Sequence, residues 1–392
     1  MPERCLSTPN SEESDFGSCN SIGSCTVRLA LCSGPGTGRL APVTTMRPST
    51  HSFKTASTTS ADLPAICIIA VWFGRPPNYF QLWLDSCGYN TQFDWLVFTD
   101  IDCYPYVVPV NVHIHAMTLR DFGRRMSVTL GIAVEIESPY KVCDFRPVFW
   151  ALLTQATRPY QYWGHCDIDM VFGNLGNYIT RDLLAQYDKI FTVGHLTLYR
   201  NCSLANEMFS RPYPRFDWRA ILSESRHLGF DEHIGINRIW QEHGGRTFED
   251  ETLIADIDPA IRRYERAAPN RNYRHQLFYF ERGHVYRGYS VGSQWKTEEF
   301  MYIHFQKRQT TNLPTWGSTR YAIAPGGFYD LPEGASLREF AESLNRGQFY
   351  WRECLHRWRG KFRSFRRRCG MKLPVLQLAA NRNSPNFSSS SF

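Results

Sequence analysis

Tyr160-Gln161-Tyr162-Trp163-Gly164-His165-Cys166-Asp167-Ile168-Asp169-Met170-Val171-Phe172-Gly173 is an aromatic run that carries two carboxylates one residue apart and closes on a small-residue turn. The apolar part reads as a buried strand, because strands covered on both faces lose the alternation of half-exposed ones. Side chains two apart on a strand point to the same side, so Asp167 and Asp169 share one ligand if the chain stays extended. A turn at the strand's end brings them together as well. Carboxylate oxygens are hard ligands that suit Mg²⁺ or Mn²⁺, which commonly take one or two protein carboxylates while substrate phosphates complete the shell. The plain alternative for an Asp-x-Asp triplet is a pair of turn or surface residues; the strand before it and Gly173 after it weigh toward a functional pair.

Outward from this stretch, strands alternate with helical segments, the pattern of an α/β layered sheet. Ala65 to Phe73 is a continuous apolar run ended by Gly74-Arg75-Pro76-Pro77 and reads as the first strand. A helix around Tyr79 to Cys87 follows, then strands at Phe93 to Asp100 and Val110 to His115. Phe145 to Thr154, with Pro147 early, reads as a helix leading into the carboxylate strand. Beyond it the sequence predicts helices over Arg181–Tyr187 and Ile234–Glu242 and a strand over Lys189–Val193. Aromatic strands return at Leu277–Phe280, His284–Tyr286 and Phe300–Lys307, and Leu313 to Glu333 reads as a Gly/Pro-punctuated connection.

With 392 residues, 43% hydrophobic and 15% aromatic, the chain has ample material for a full core. The expected organisation is a disordered Ser/Thr/Gly/Pro-rich tail over 1–61, one catalytic-sized domain over 62–335, a basic amphipathic helix over 336–373 and a disordered tail over 374–392. A net charge of +7 is moderate for this length and does not suggest a nucleic-acid-coating surface. The 12 cysteines contain no C-x-x-C pair and read as buried thiols of a reducing compartment. No apolar stretch approaches the roughly 20 residues of a membrane span, and no basic segment with a hydrophobic core opens the chain. A cytoplasmic location is therefore expected.

These segments resemble the glycosyltransferases of the GT-A type, whose Rossmann-like domain ends a central strand in an Asp-x-Asp that holds Mn²⁺ or Mg²⁺ on a sugar-nucleotide diphosphate. More closely, the chain is similar to an uncharacterised bacterial glycosyltransferase-like family linked to capsular polysaccharide synthesis. The matching segments are Ile66 to Phe73, Trp95 to Asp100, Lys141 to Pro147, Tyr162 to Gly173, Phe230 to Asn237 and Tyr302 to Lys307. The resemblance implies a Rossmann-like GT-A fold with a mixed central sheet flanked by helices. It also implies a nucleotide-sugar donor, most naturally a UDP-sugar, and a glycan or lipid-linked acceptor.

Under that resemblance Val71, Trp72 and Phe73 end the first strand where a nucleotide is received, since ligands of open α/β sheets lie beyond the strands' carboxyl ends. Asp100 would contact uracil or ribose; an ordinary turn aspartate or helix cap is its other reading. Lys141, Asp144 and Arg146 are placed to meet diphosphate or ribose, against capping and surface pairing. His304 offers a third metal bond and Lys307 a charge for the departing diphosphate, although a histidine on an apolar strand is also a common core residue. Asp231 or Glu232 is the candidate base for the acceptor hydroxyl, and both equally suit a helix N-terminus. His165 and Cys166 read as strand residues and His195 as strand-end structure or part of an acceptor pocket.

From Trp351 to Lys372 the chain concentrates arginine and lysine, while Trp351, Leu355, Trp358, Phe362 and Phe365 recur at helical spacing. This pattern predicts an interfacial helix on anionic lipid; docking on the protein body is the alternative. Two further functions compete with sugar transfer. Nucleotidyl or phosphoryl transfer also uses paired carboxylates on an α/β sheet, but no P-loop or Gly-rich phosphate cradle supports it here. The other is carbohydrate or membrane binding without turnover.

Overall fold

The computed structural model describes residues 63–345 except 104, 154–159, 233–234, 268–271, 307 and 309. In chain order the elements are β1 (Ile66–Trp72), α1 (Phe80–Gly88), β2 (Asp94–Thr99), β3 (Val112–Ala116), α2 (Leu119–Leu130), a 3₁₀ run over Pro139–Leu152, β4 (Tyr162–Cys166) and β5 (Met170–Phe172). Then come α3 (Arg181–Gln186), β6 (Lys189–Val193), β7 (Leu196–Arg200), α4 (Ser203–Asn206), α5 (Trp218–Ser223), α6 (Ile236–Glu242), β8 (Thr247–Phe248) and β9 (Ile254–Asp256). The last elements are β10 (Gln276–Glu281), β11 (His284–Val291), β12 (Gln294–Phe300), β13 (Tyr302–His304), β14 (Arg320–Ala324), β15 (Gly327–Asp330) and α7 (Leu337–Leu344).

The central sheet has the order β3-β2-β1-β4-β7-β6-β8. β3, β2, β1 and β4 are parallel, β7 runs antiparallel to both β4 and β6, and β8 pairs parallel with β6, so the sheet is mixed. The chain lays down β1, β2 and β3 in one direction and then returns to place β4 on the other side of β1. The order therefore reverses between β1 and β4, and ligands of open α/β sheets bind beyond the carboxyl ends at such a reversal. Two smaller sheets complete the fold, β12-β11-β10-β14-β15 and β5-β13-β9.

The continuous apolar reading of β1 has a direct cause. Ile66, Ile68 and Ala70 enter one core cluster with Phe80, Trp83 and Trp95, whereas Cys67 and Ile69 enter a second with Phe122, Phe145, Phe149 and Trp163. Both faces are covered, so neither set of alternate residues is polar. α2 is fixed at its start by a capping box, in which Thr118 accepts from the Asp121 amide while Asp121 reaches back to the Thr118 amide.

Several expected elements take another form. The helix expected over Phe145–Thr154 is part of the 3₁₀ run Pro139–Leu152, with Pro147 inside it. Proline has no amide hydrogen and its ring clashes with the carbonyl four residues earlier, which opposes a regular α-helix there. The connection expected over Leu313–Glu333 contains the hairpin β14–β15, turned at Gly326 and Gly327 with φ of 95° and 138°. The strand expected over Phe300–Lys307 is divided, because β12 ends at Phe300 and β13 joins a different sheet. α2 and β7 had no counterpart in the expectations. α7 buries Ala341 against Leu277, Ala322 and Ala324. The six cysteines Cys67, Cys87, Cys103, Cys143, Cys166 and Cys202 are free thiols. No described helix is long and apolar enough to cross a membrane.

Candidate metal centre

The chain leaves the central sheet at Cys166 and enters the three-stranded sheet at Met170, so Asp167 and Asp169 occupy the turn between two sheets. Backbone bonds fix that turn on both sides. The Asp167 amide donates to the His195 carbonyl (3.0 Å), the Trp83 indole donates to the Asp167 carbonyl (3.0 Å), and the Phe305 amide donates to the Asp169 carbonyl (3.1 Å). In the small sheet β13 lies between β5 and β9, with His304 opposite Met170 on one side and Asp256 on the other. Strand pairing thus gathers residues that lie far apart in the chain.

His304 Nε2 is 3.4 Å from Asp169 Oδ1 and 3.9 Å from Asp167 Oδ2. Its Nδ1 is 2.8 Å from Asp256 Oδ1. The His195 ring stacks on His304 at 4.2 Å between centroids, and His195 Nδ1 meets the Tyr302 hydroxyl at 2.9 Å. Arg146 reaches in from the 3₁₀ run. It donates to the Gly194 carbonyl (3.0 Å) and Asp231 Oδ2 (2.6 Å), and through its other terminal nitrogen to Asp167 Oδ1. One oxygen of Asp167 is therefore taken by Arg146 while the other turns toward His304.

The electrostatics of this cluster call for positive charge. Burial pushes the Asp167 carboxyl above its ordinary range, Arg146 opposes that, and the charge on Asp169 adds to it. Burial disfavours a charged His304, yet the charge and hydrogen bond of Asp169, the bond to Asp256 and the charge on Asp167 outweigh it and hold the imidazole up to about 10. A proton on His304 thus balances the carboxylates when no ion does. Burial first and His304 next push His195 well below the usual histidine range, so that ring is neutral. Two carboxylates and an imidazole converging in this way fit a divalent ion that accepts both hard oxygens and nitrogen.

The other expected site residues lie as follows. Asp231 is buried and bound to Arg146, whereas Glu232, next to it, is exposed. A methyl group on Gly194 would lie 3.4 Å from Arg146 and from Asp231 and 3.5 Å from Glu232 Cγ, so these residues gather at one point. Lys141 and Asp144 are fully buried and pair at 2.9 Å. Asp144 also accepts from the amides of Leu228 and Phe230, both at 2.8 Å, which ties the 3₁₀ run to the loop carrying Asp231. Phe73 packs edge-on against Phe122 in the core, while Val71 and Trp72 are half-buried. Asp100 accepts the Gly74 amide at 2.8 Å, and both residues line a cleft of about 370 Å³ with Pro76, Ile101, Asp102 and Tyr106 beyond the ends of β1 and β2. Lys307 and the segment 351–372 lie outside the described residues.

Asp256 and Tyr302 were not singled out from the sequence. Ile254-Ala255-Asp256 repeats the pattern of Cys166-Asp167, a short apolar strand ended by an acid, and that was the available signal. Among the described residues two further groups bring metal-ligating atoms together, His195/Asp256/His304 and Asp144/His227/Asp231.

The described residues thus define an α/β protein whose mixed sheet carries an acid-and-histidine centre at the reversal of strand order. Residues 68–332 match the family described as "Family of unknown function (DUF6625)", and the chain belongs to that family. No curated protein matches it by sequence. Among solved structures, a glycosyltransferase involved in the glycosylation of the major capsid of PBCV-1 is 8% identical with a TM-score of 0.28, over 50% of this chain and 85% of that one. Mouse xyloside xylosyltransferase 1, in its apo form, is 9% identical with a TM-score of 0.30, over 50% of this chain and 88% of that one.

Proposed function

We propose that the protein is a metal-dependent glycosyltransferase that moves a sugar from a nucleoside-diphosphate donor, a UDP-sugar by preference, to a glycan or lipid-linked acceptor in surface polysaccharide synthesis. The observation that carries this reading is the convergence of Asp167, Asp169 and His304, at 3.4 and 3.9 Å, beyond the sheet's carboxyl edge. Those three residues would hold Mn²⁺ or Mg²⁺. When bound, the ion supplies Lewis-acid stabilisation of the leaving diphosphate.

The chain's own residues divide the remaining work. Arg146 fixes one oxygen of Asp167 and leaves the other for the ion, and Lys307 would supply positive charge for the departing diphosphate. The cleft at Gly74, Asp100 and Tyr106 suits the nucleoside, reached from the ends of Val71, Trp72 and Phe73. The Lys141–Asp144 pair anchors the loop that presents Asp231 and Glu232. Of these two acids Glu232 is the better base, since it is exposed, while Asp231 is buried against Arg146. The basic segment 351–372 would bring the enzyme to an anionic membrane surface on the cytoplasmic side.

The test is a panel of nucleotide sugars with and without Mn²⁺, read by thermal shift and by the product released. A UDP-sugar that raises the melting temperature only with metal, and UDP released by wild type but not by Asp169→Asn, is the expected result. No shift with any nucleotide sugar in either condition would overturn it. Pyrophosphate as the product would point to nucleotidyl transfer instead.

A further inference from the structure

We infer that Asp256 is a positioning residue of the metal centre: it accepts the Nδ1 proton of His304 and so turns the Nε2 lone pair toward an ion shared with Asp167 and Asp169. This rests on the cation reading given above and adds to it a residue that neither touches the ion nor belongs to the Asp-x-Asp segment.

A neutral imidazole carries its proton on one nitrogen, and the partner of that nitrogen decides which face remains for a metal. Here the partner is unambiguous. Asp256 Oδ1 lies 2.8 Å from Nδ1, while Nε2 is the atom nearest Asp169 and Asp167. The arrangement is built into the backbone, because β9 and β13 run parallel with Asp256 directly opposite His304. The Ile257 amide donates to the His304 carbonyl at 3.0 Å, which locks that register one step further.

A second side chain orients the same carboxylate. Gln306 Nε2 donates to Asp256 Oδ1 at 2.9 Å. To do so from two residues beyond His304, Gln306 takes a left-handed backbone with φ of 56°, a conformation that side-chain-bearing residues seldom adopt and that costs of order 1 kcal/mol or more. Of the two other described non-glycine residues of this kind, Arg282 sits in the tight turn between β10 and β11, where such a φ serves the hairpin itself, and Phe191 sits in β6 where the register with β7 shifts. At Gln306 no hairpin requires it. The strained residue instead places an amide on the carboxylate that holds His304, and strain of this sort collects where a fold over-determines a functional geometry.

The experiment is Mn²⁺ titration of the full chain, with free Mn²⁺ followed by electron paramagnetic resonance, on wild type, Asp256→Asn, His304→Ala and the double variant. Thermal melts in EDTA serve to confirm folding. Loss of the carboxylate behind a metal-bound histidine commonly weakens binding about 10- to 100-fold, and that is the expected effect of Asp256→Asn. In the His304→Ala background the same change should weaken binding by less than about 2-fold, because Asp256 acts through His304 and has nothing left to orient. Gln306→Ala, which leaves the acid in place, should weaken binding in the same direction by a smaller factor. Equal affinity of wild type and Asp256→Asn would overturn the inference. So would full additivity with His304→Ala, which would make Asp256 an independent ligand. If the wild type itself binds no Mn²⁺, the cation reading fails first and the inference with it, an outcome distinct from the other two.

Discussion

Replacing Arg146 with methionine tests how the candidate metal centre is held together. Methionine keeps much of the side chain's length and removes the guanidinium. Three acceptors lose their donor at once, namely the Gly194 carbonyl, Asp167 Oδ1 and Asp231 Oδ2. Asp167 is 20% exposed at its side chain and recovers water, but the Asp231 side chain is 1% exposed and cannot. Its second oxygen, Oδ1, has no hydrogen-bond partner and only the His227 imidazole in ion-pair range, at 3.8 Å, so the carboxylate would lose its one hydrogen-bonded counter-charge. At the effective dielectric constant of about 20 that describes partly buried pairs, two charges 4 Å apart attract by about 4 kcal/mol, and breaking one side of a buried pair commonly costs about 3–5 kcal/mol. For a domain of this size each kcal/mol lowers the melting temperature by roughly 2–4 °C, so a fall of about 10 °C is expected. Urea titration followed by tryptophan fluorescence, in EDTA, gives the free energy directly. The double variant Arg146→Met/Asp231→Leu removes the stranded charge and should recover a large part of the loss. A destabilisation below about 1 kcal/mol for the single variant, or a double variant no more stable than the sum of the two single losses predicts, would refute the account of Arg146 as the counter-charge of Asp231.

Two further predictions concern the sheet around the centre. Burial pushes the Lys189 ammonium down to about 7, with Glu249 opposing, and its nitrogen lies over Tyr199 and Trp240 while bonding Asn237. Between pH 7 and the ordinary lysine value near 10 the unfolded chain therefore binds more protons here than the folded one, and stability contributed by this site rises with pH. The stability difference between wild type and Lys189→Met should grow in favour of wild type by up to about 1.4 kcal/mol per pH unit across that window; parallel pH profiles would contradict it. Gly164→Ala in β4 should cost about 3 kcal/mol, because the new methyl would fall 2.3 Å from Leu198 Cδ2 and 2.5 Å from the Thr197 carbonyl, and β7 cannot move aside without breaking the sheet. A melting temperature within 2 °C of wild type would show that the strands have room to part.

The sequence displayed what local pattern can display. β1 was legible because both of its faces are covered, and α1, β2, α3 and β6 because their apolar periods match the elements that formed. The 3₁₀ run was misjudged, since the spacing of Phe149, Trp150 and Leu152 suggests an α-helix while Pro147 works against one. β7 escaped notice because the chain reverses from β6 with only Gly194 and His195 between the strands. At the centre, Asp167, Asp169 and His304 stood out by residue type. Asp256 did not, because its significance comes from the pairing of β9 with β13, which brings it beside a histidine 48 positions away. Lys141 and Asp144 looked like charges facing a ligand, and only burial reveals that they face each other.

The turn that bears Asp167 and Asp169 joins the seven-stranded sheet to the three-stranded one, and the third partner, the His304 imidazole, belongs wholly to the smaller sheet. An ion seated there would act as a cross-link across the seam between them. Its removal would do more than empty a pocket: the two layers would lose a shared anchor at their edge, and the hydrophobic core that both contribute to would hold the seam alone.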